Sequence, residues 1–283
     1  MEFHEICHEC GLKQAMEVAK ITHCSTSQIE EIKRKIEILD KDFSNYKTAP
    51  AFHEEIYAIV TQVSKNFDPY IEIKERDIKL ALSLYERMEE LIQNSPNALE
   101  SAIKLSVVGN LLDSAIIKDA GLEEVLEKEF NSNCPIWDIK EFKEDISKAK
   151  TVLFIADNAG ETVFDLFLLK ELKGKKIYYS VRSNPIINDA TIKDAKASGI
   201  EKYAKIVESG SKAPGTIISK CSKEFIDLYN SADLIISKGQ GNLETLTEEN
   251  KDIYFLLKVK CQVIADFLNT QFGGILLYHQ KEK

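Results

Sequence analysis

Short apolar runs that alternate with helical stretches dominate the second half of this chain, and they most constrain its fold. The runs have the length and the β-branched, aromatic content of buried strands. They lie at Val152–Ile155, Lys176–Val181, Ala204–Val207, Asp233–Ile236 and Ile275–Tyr278. The helical stretches between them include Glu161–Leu172, Ala190–Ala197 and Ser219–Leu228. Such alternation predicts an α/β fold, a doubly wound (Rossmann-like) parallel sheet over residues 141–283.

The first half has a helical periodicity instead, with apolar residues at spacings of three and four and few strand-like runs. The segments with this pattern are Ser27–Leu39, Ala51–Ser64, Ile78–Gln93 and Ala98–Ile117. We therefore predict an N-terminal all-helical subdomain over residues 1–140. It is expected to pack over the carboxyl edge of the sheet.

Composition restricts the class of protein. The chain has 283 residues and a formal net charge of −9, which argues against nonspecific binding to nucleic acid. No apolar run approaches the roughly 20 residues that span a bilayer, and the acidic N-terminus lacks the apolar region of a signal peptide. We expect a cytoplasmic protein without membrane partners. The sequence does not indicate its oligomeric state.

Polar residues follow the first of the C-terminal strands. Asp157 and Asn158 follow the apolar run 151–155 after a single alanine, and Gly160 permits a tight turn into the next helix. In a parallel α/β sheet, ligands bind outside the carboxyl ends of the strands, and side-chain oxygens are the ligands that Mg²⁺ or Mn²⁺ prefers. An Asx turn that caps the helix is the structural alternative.

A second polar loop follows the next strand and contains Arg182 and Asp189. Consecutive βα units bring their strand ends together, so Asp157, Asn158 and Asp189 are placed to converge on one cation. Arg182 offers a planar fork that suits a phosphate or carboxylate. The structural alternative makes Asp189 a helix N-cap and Arg182 part of a surface ion pair.

A third loop, Ser237 to Glu244, is rich in glycine. Gly239 and Gly241 allow backbone N–H groups to approach an anion, and Lys238 adds a positive charge. The loop is neither a Walker A loop nor a dinucleotide fingerprint, because the required spacings are missing. Together, the three loops supply oxygen ligands, a guanidinium and a glycine–lysine cradle, which a metal-assisted phosphoryl-transfer site requires.

These motifs resemble a known family. Asp-Asn-Ala-Gly-Glu at 157–161, Arg-Ser-Asn-Pro-Ile-Ile-Asn-Asp at 182–189 and Ser-Lys-Gly-Gln-Gly-Asn at 237–242 look like the DUF89 family of metal-dependent damage-control phosphatases. The Cys-x-x-Cys pair Cys7 and Cys10 resembles the mark of its prokaryotic-type branch. Gly-Asn-Leu-Leu-Asp at 109–113 is similar to a segment in the family's helical part, and the resemblance covers essentially the whole chain.

The resemblance implies a function and a site. It implies hydrolysis of small phosphorylated metabolites such as sugar phosphates, with Mn²⁺, Mg²⁺, Co²⁺ or Ni²⁺ held by Asp157, Asn158 and Asp189. Phosphate and substrate contacts are expected from the remaining motif residues, which are Asn110, Asp113, Arg182, Asn188, Lys238, Gly239, Gly241 and Asn242. Asp157 and Glu161 are the candidate catalytic residues, Glu161 as a general base or as a favourable first-turn carboxylate.

Several alternatives stay open. Asp157 is preferred as a metal ligand, although direct attack by its carboxylate on phosphorus is the competing mechanism. Cys7 and Cys10 are expected to be reduced, partly buried thiols, with a metal or redox role as the alternative. At the level of function, the rivals are a carboxyl methyltransferase that uses S-adenosylmethionine and a noncatalytic metal or metabolite sensor.

Overall fold

The computed structural model describes residues 4–41, 45–110 and 121–282. The described part of the first half is helical. Its helices are α1 (Glu5–Ile21), α2 (Thr26–Asp40), α3 (Ala49–Ser64), α4 (Ile71–Ser83), α5 (Tyr85–Gln93), α6 (Ala98–Val108) and α7 (Leu122–Phe130). Asp113, one of the predicted substrate contacts, lies outside the described residues.

The second half alternates strands and helices. The strands are β1 (Ile136–Trp137), β2 (Thr151–Ile155), β3 (Lys176–Val181), β4 (Lys205–Glu208), β5 (Leu234–Lys238), β6 (Ile253–Lys258) and β7 (Ile275–Gln280). The helices are α8 (Ile139–Lys148), α9 (Glu161–Glu171), α10 (Ile192–Ser198), α11 (Lys223–Ser231), α12 (Gln240–Leu246) and α13 (Gln262–Phe267).

All seven strands belong to one sheet in the order β1-β7-β6-β5-β2-β3-β4. The five strands from β6 to β4 run parallel, whereas β7 pairs antiparallel with β6 and β1 runs parallel to β7. The central strands are buried on both faces, as continuous apolar runs require. The predicted α/β fold class is confirmed.

Side chains of the sheet alternate between two core layers. Val152 and Phe154 pack on the face that carries α6 and α9, whereas Leu153 and Ile155 pack on the face that carries α11, α12 and α13. Helices therefore cover both faces, and part of the helical half contributes to one of these layers. The helices α1, α2 and α3 form a separate core, and Ile186 from the loop after β3 is buried in it.

Helices α1, α7, α8, α12 and α13 had no counterpart among the predicted segments, and the predicted helix 98–117 is α6 up to Val108, with residues 111–117 outside the described ones. Three further differences bear on the sheet and the helical half. Strand β6 was not predicted, although its sequence Ile-Tyr-Phe-Leu-Leu is a continuous apolar run. The predicted helix 78–93 belongs to two helices, α4 and α5, which meet at Leu84. The short strand β1 precedes residue 140, so one strand of the sheet lies on the N-terminal side of the proposed division.

None of the described helices combines the length and the hydrophobicity that crossing a bilayer requires.

Candidate active site

The candidate site lies where the strand order of the sheet reverses. The chain runs outward from β2 through β3 to β4, and then returns to place β5 and β6 on the other side of β2. The loops after β2 and β5 consequently leave the sheet in opposite directions and open a crevice between them. This topological switch point is the usual ligand site of a doubly wound sheet.

Backbone hydrogen bonds join the loop after β2 to the loop after β3. Ala159 N–H donates to the carbonyl of Asn188 at 2.8 Å, and Ala190 N–H donates to the carbonyl of Asp157 at 2.8 Å. Asn158 and Asp189 form an antiparallel bridge between these bonds. The two predicted metal-ligand loops are therefore held together by the main chain.

Neither acidic residue caps the helix that follows it. The N-cap of α9 is Gly160, and no side chain bonds to that helix end. The N-cap of α10 is Thr191, which forms a capping box with Asp194. The structural alternatives of an Asx cap for Asp157 and an N-cap for Asp189 are therefore wrong. Both carboxylates are directed to other partners.

The glycine loop after β5 packs directly on Asp157. Gly239 has a φ of 79°, and a Cβ atom at this position would lie 2.0 Å from Oδ2 of Asp157. Gly241 is equally crowded, because its Cβ would lie 1.9 Å from the carbonyl oxygen of Pro214. Glycine at these positions permits close approach of the loop to the end of β2.

A cavity of about 250 Å³ opens above these three loops. Its walls include Asp157, Asn158, Asn188, Asp189, Gly239, Gly241 and Asn110, all of which belong to the predicted site. Helices α1 and α3 line it from above with Cys10, Gln14, Pro50 and His53. The structure thus brings most of the predicted residues around one cavity between the sheet and the helical half.

Lys238 does not face this cavity, contrary to the prediction that it binds phosphate. Its buried ammonium donates to Oε2 of Glu161 at 2.8 Å, to Oδ1 of Asp165 at 2.7 Å and to the carbonyl of Ser106 at 2.8 Å. Burial by itself lowers the pKa of a lysine, but the two carboxylates hold the pKa of Lys238 above its usual range. Its position is that of a structural cation beneath the site.

Glu161 lies between this ammonium and the cavity. Its Oε1 accepts a hydrogen bond from Nδ2 of Asn158 at 2.7 Å and another from Nδ2 of Asn110. Because both amides donate downward to Glu161, their carbonyl oxygens are directed away from it. Oδ1 of Asn110 is buried and has no hydrogen-bond partner among the described residues. Glu161 thus orients two amides, and its predicted role as a general base has no support from this position.

Arg182 is also buried, and its guanidinium group donates hydrogen bonds to other residues of the protein. Nε donates to Oδ2 of Asp189 at 2.7 Å, while the terminal nitrogens donate to Thr216 and to Oδ1 of Asn242, each at 3.0 Å. Asn242 in turn donates to the carbonyls of Ala156 and Lys238. Of the predicted substrate contacts, Arg182 and Asn242 therefore support the loops instead of lining the cavity.

Negative charge accumulates on the floor of the cavity. Burial raises the pKa of Asp157 well above its usual range, and the neighbouring carboxylates of Glu161 and Asp189 raise it further, against the opposing effect of Arg182 and Lys260. A divalent cation compensates such a cluster.

The donor set fits a hard cation, since it consists of oxygens from Asp157, Asp189 and Asn158, with Oδ1 of Asn110 nearby. No described cluster of three or more His, Cys, Asp or Glu side chains is arranged to hold a metal, and the predicted set contains only two such residues.

Sequence reasoning missed the positive charges of the cavity wall. Lys258 ends β6, and Lys260 follows two residues later; both line the cavity. Lys258 pairs with Glu129 at 2.9 Å, whereas Lys260 is exposed and lowers the pKa of Asp157 through its charge. The apolar run of β6 could have pointed to these two lysines. A strand that pairs in parallel with β5 ends at the same edge of the sheet, so the residues after it lie near the site.

Glu244 and Cys10 are further residues at this wall. Glu244 lies one turn into α12 and lines the cavity. Cys7 is half-buried and Cys10 is exposed, and both are free thiols. Burial raises the pKa of both thiols, which keeps them protonated and unreactive at neutral pH. The exposure of Cys10 differs from the expected partly buried position, and the reduced state of the pair stays a prediction.

The contact between Gly239 and Asp157 makes a first prediction. Gly239→Ala adds a Cβ that collides with the Asp157 carboxylate, so we expect it to abolish Mn²⁺ binding in calorimetry of chelator-treated protein. Gly174→Ala is the matched control, because Gly174 also has a positive φ of 88° but has no atom within 4 Å of a Cβ. The control should bind Mn²⁺ normally and lose about 1–2 kcal/mol of stability. Normal binding by Gly239→Ala would contradict this geometry.

Arg182 makes a second prediction. Arg182→Lys cannot maintain three diverging hydrogen bonds, so Asp189 should lose its orientation and Mn²⁺ affinity should fall by about 10- to 100-fold. Arg87→Lys changes an exposed arginine and serves as control. If Arg182→Lys keeps its Mn²⁺ affinity but binds inorganic phosphate more weakly, this prediction is wrong and Arg182 binds the anion directly.

Lys238 makes a third prediction. Lys238→Met leaves two buried carboxylates without their cation, so the free energy of unfolding in urea should fall by about 3–5 kcal/mol. Lys205→Met removes an exposed lysine that pairs with Glu224 at 3.4 Å, and its effect should stay below about 1 kcal/mol. A loss of similar size in both variants would show that the buried network contributes little.

Comparison with known proteins identifies the family. Residues 3–275 match the damage-control phosphatase ARMT1-like domain. An uncharacterised protein of Methanocaldococcus jannaschii, MJ0202, is 34% identical over 96% of this chain and 93% of its own. The damage-control phosphatase PH1575 of Pyrococcus horikoshii is 32% identical, and a damage-control phosphatase of Archaeoglobus fulgidus is 30% identical, each over 98% of both chains.

The solved structures agree. The crystal structure of a DUF89 family protein from Pyrococcus horikoshii superposes with a TM-score of 0.88 at 30% identity, and the match covers 100% of both chains. The predicted family and its class of enzyme, a damage-control phosphatase, are therefore confirmed, and such phosphatases depend on metal in general. This chain belongs to the damage-control phosphatase ARMT1-like (DUF89) family.

Proposed function

We propose that this chain hydrolyses small phosphorylated metabolites with the help of a divalent cation held by Asp157, Asn158 and Asp189. This proposal rests mainly on the orientation of the side-chain amides of Asn110 and Asn158 above Glu161. The carboxylate takes the amide N–H groups of Asn110 and Asn158, and this leaves their oxygens for a cation beside Asp157 and Asp189. Outer partners of this kind tune and orient metal ligands.

Different residues of the chain contribute to binding the cation, the phosphoryl oxygens and the rest of the substrate. When bound, a divalent cation supplies positive charge to phosphoryl oxygens and lowers the pKa of water. Lys260 and the first-turn backbone N–H groups of α12, at Gln240 and Gly241, belong to the same cavity wall and are placed to neutralise the remaining phosphoryl oxygens. Asn188 offers an amide for orienting the substrate. We propose Asp157 as a ligand, because Gly239 packs against its carboxylate and restricts its movement.

The size of the cavity supports a small substrate. A volume of about 250 Å³ accepts a phosphoryl group and a cation with water, and residues of α1 and α3 line one side of it. We propose that the helical half acts as a cap that selects the organic group. Sugar phosphates remain the proposed substrate class, with Mn²⁺, Mg²⁺, Co²⁺ and Ni²⁺ as candidate ions. A cytoplasmic location is likewise a proposal from composition.

An assay for phosphate release tests this function. Chelator-treated protein is supplied with each of the four ions in turn and with a panel of sugar phosphates and an aryl phosphate. We expect metal-dependent release that falls at least about 100-fold in Asp189→Asn, since losing a ligand exceeds the effect of losing an outer partner. Asp227→Asn, an exposed carboxylate of α11, should leave release unchanged.

Other outcomes would favour the rival functions. Metal binding without release from any substrate would support a noncatalytic sensor. Consumption of S-adenosylmethionine by the same preparation, in the absence of metal, would support a methyltransferase. Release that is equal in wild type and Asp189→Asn would exclude the proposed metal ligands.

A further inference from the structure

His53 lines the active-site cavity but has no part in the proposed metal and phosphate contacts. It lies on α3, one helical turn after Pro50, and both residues belong to the cavity wall that faces the sheet edge from above. Its side chain is half-buried. The contacts of the imidazole ring show which of its edges is left to face the cavity.

One edge of the ring packs against α1. Nε2 of His53 lies 3.0 Å from the backbone carbonyl oxygen of Cys7. Gly11 lies beside the same edge, because a Cβ atom there would be 3.0 Å from Cδ2 and 3.1 Å from Nε2 of the ring. A glycine inside a helix costs about 1 kcal/mol relative to alanine, and here it leaves the space that the ring occupies. The edge formed by Cδ2 and Nε2 is therefore covered by α1, and the edge with Nδ1 is the one that lines the cavity.

The bond to α1 also fixes the tautomer of the ring. A carbonyl oxygen only accepts hydrogen bonds, so Nε2 of His53 carries the hydrogen and Nδ1 has a free lone pair. Burial lowers the pKa of His53, against the opposing effect of the hydrogen bond to Cys7, and the ring is neutral at neutral pH. Nδ1 has no hydrogen-bond partner in the part of the chain that the structure describes. The cavity thus contains a neutral acceptor with a fixed direction.

An acceptor of this kind recognises a hydroxyl group. A carboxylate or a fully ionised phosphoryl group offers only acceptor oxygens, so neither pairs with Nδ1 of a neutral imidazole. The charge of Lys260 in the same cavity disfavours an ammonium group. Gln14 of α1 lines the cavity near His53, and its amide supplies a donor for the oxygen of the same hydroxyl group.

We propose that Nδ1 of His53 accepts a hydrogen bond from a hydroxyl group in the organic part of the substrate, which makes this residue a determinant of specificity. The inference rests on the proposed phosphatase function and deepens it. In a cavity of about 250 Å³, one small phosphate ester reaches both the sheet edge and α3. An ester without the hydroxyl group leaves the buried acceptor unpaired and is bound more weakly.

A purely structural histidine is the alternative. If His53 served only to join α3 to α1, the bond from Nε2 to Cys7 would be sufficient. Nδ1 would then have no influence on the choice of substrate. Substitution would weaken the packing of the two helices and affect all substrates alike. The two roles therefore differ in their dependence on the hydroxyl groups of the substrate.

Paired esters test this difference. Wild type and His53→Leu are compared on glycerol phosphate and on n-propyl phosphate, which has the same carbon chain without hydroxyl groups. We expect KM for glycerol phosphate to rise about 10-fold in His53→Leu, while kcat and both constants for n-propyl phosphate change less than about threefold. Both esters are measured on one preparation, so a loss of folded protein does not imitate this result.

Two further variants separate recognition from packing. His53→Gln keeps an N–H donor for Cys7 and an acceptor oxygen for the substrate, so its KM for glycerol phosphate should stay within about threefold of wild type. His8→Leu is the matched control, because His8 belongs to the same helical half but its Nε2 lies 2.6 Å from Oδ1 of Asp40 on α2. This control should leave the ratio of kcat/KM between the two esters unchanged.

A binding experiment gives a readout that needs no turnover. Protein with ¹⁵N-labelled histidine and Mg²⁺ is titrated with 3,4-dihydroxybutylphosphonate, a nonhydrolysable analogue of glycerol phosphate, and with butylphosphonate. In nuclear magnetic resonance spectra, Nδ1 of His53 should give the signal of an unprotonated ring nitrogen. That signal should move when the dihydroxy compound binds and stay in place when butylphosphonate binds.

The outcomes distinguish the two claims. Equal changes for both esters in His53→Leu, or an Nδ1 signal that the dihydroxy compound does not move, would overturn the role of His53 and leave the phosphatase function intact. Absence of phosphate release from wild type on either ester, with metal supplied, would count against the phosphatase function. The Nδ1 signal would then still decide whether His53 recognises a hydroxyl group.

Discussion

The buried ammonium of Lys238 is the interaction on which the candidate site depends. It lies beneath the carboxyl edge of the sheet and pairs with the buried carboxylates of Glu161 and Asp165, which would be costly to bury without a cation. With Lys238 in place, Glu161 remains a strong acceptor, and it fixes the amides of Asn110 and Asn158 with their oxygens toward the cavity. A structural cation below the sheet edge thus prepares a ligand set above it.

Arg182 has a similar role on the neighbouring loop, where it is a buried cation that supports residues of the site. Its three donor positions connect Asp189, Thr216 and Asn242, and Asn242 continues to the ends of β2 and β5. The two positively charged side chains that were predicted to bind phosphate, Lys238 and Arg182, therefore support the residues of the metal site instead of binding the substrate. The charge that faces the cavity comes from the end of β6 instead, where Lys260 acts on Asp157. Supporting cations that are dehydrated and fully bonded hold the ligand carboxylates more rigidly than mobile surface lysines can.

The walls of the active-site cavity suggest a division of roles between the halves of the protein. The sheet edge supplies ligands, glycine backbone and Lys260, which are the groups that recognise a phosphoryl group. The helical half supplies part of the cavity wall, through α1 and α3, and Ile186 anchors these helices to the loop that carries Asp189. In the proposed mechanism, the sheet edge therefore binds the phosphoryl group, and α1 and α3 contact the organic group.

The sequence by itself determined the α/β class, the family and the loops that meet at the site, because strand-length apolar runs and polar strand ends are local patterns. It identified Asp157, Asn158 and Asp189, and the backbone pairing of their loops places them together. Only the tertiary structure decided which charges face the cavity. A sequence shows that Lys238 and Arg182 follow strands, but not that their side chains turn inward toward Glu161 and Asp189. That direction depends on carboxylates that come from other segments of the chain, and the resulting charge pairing is visible only once the sheet and its covering helices have formed.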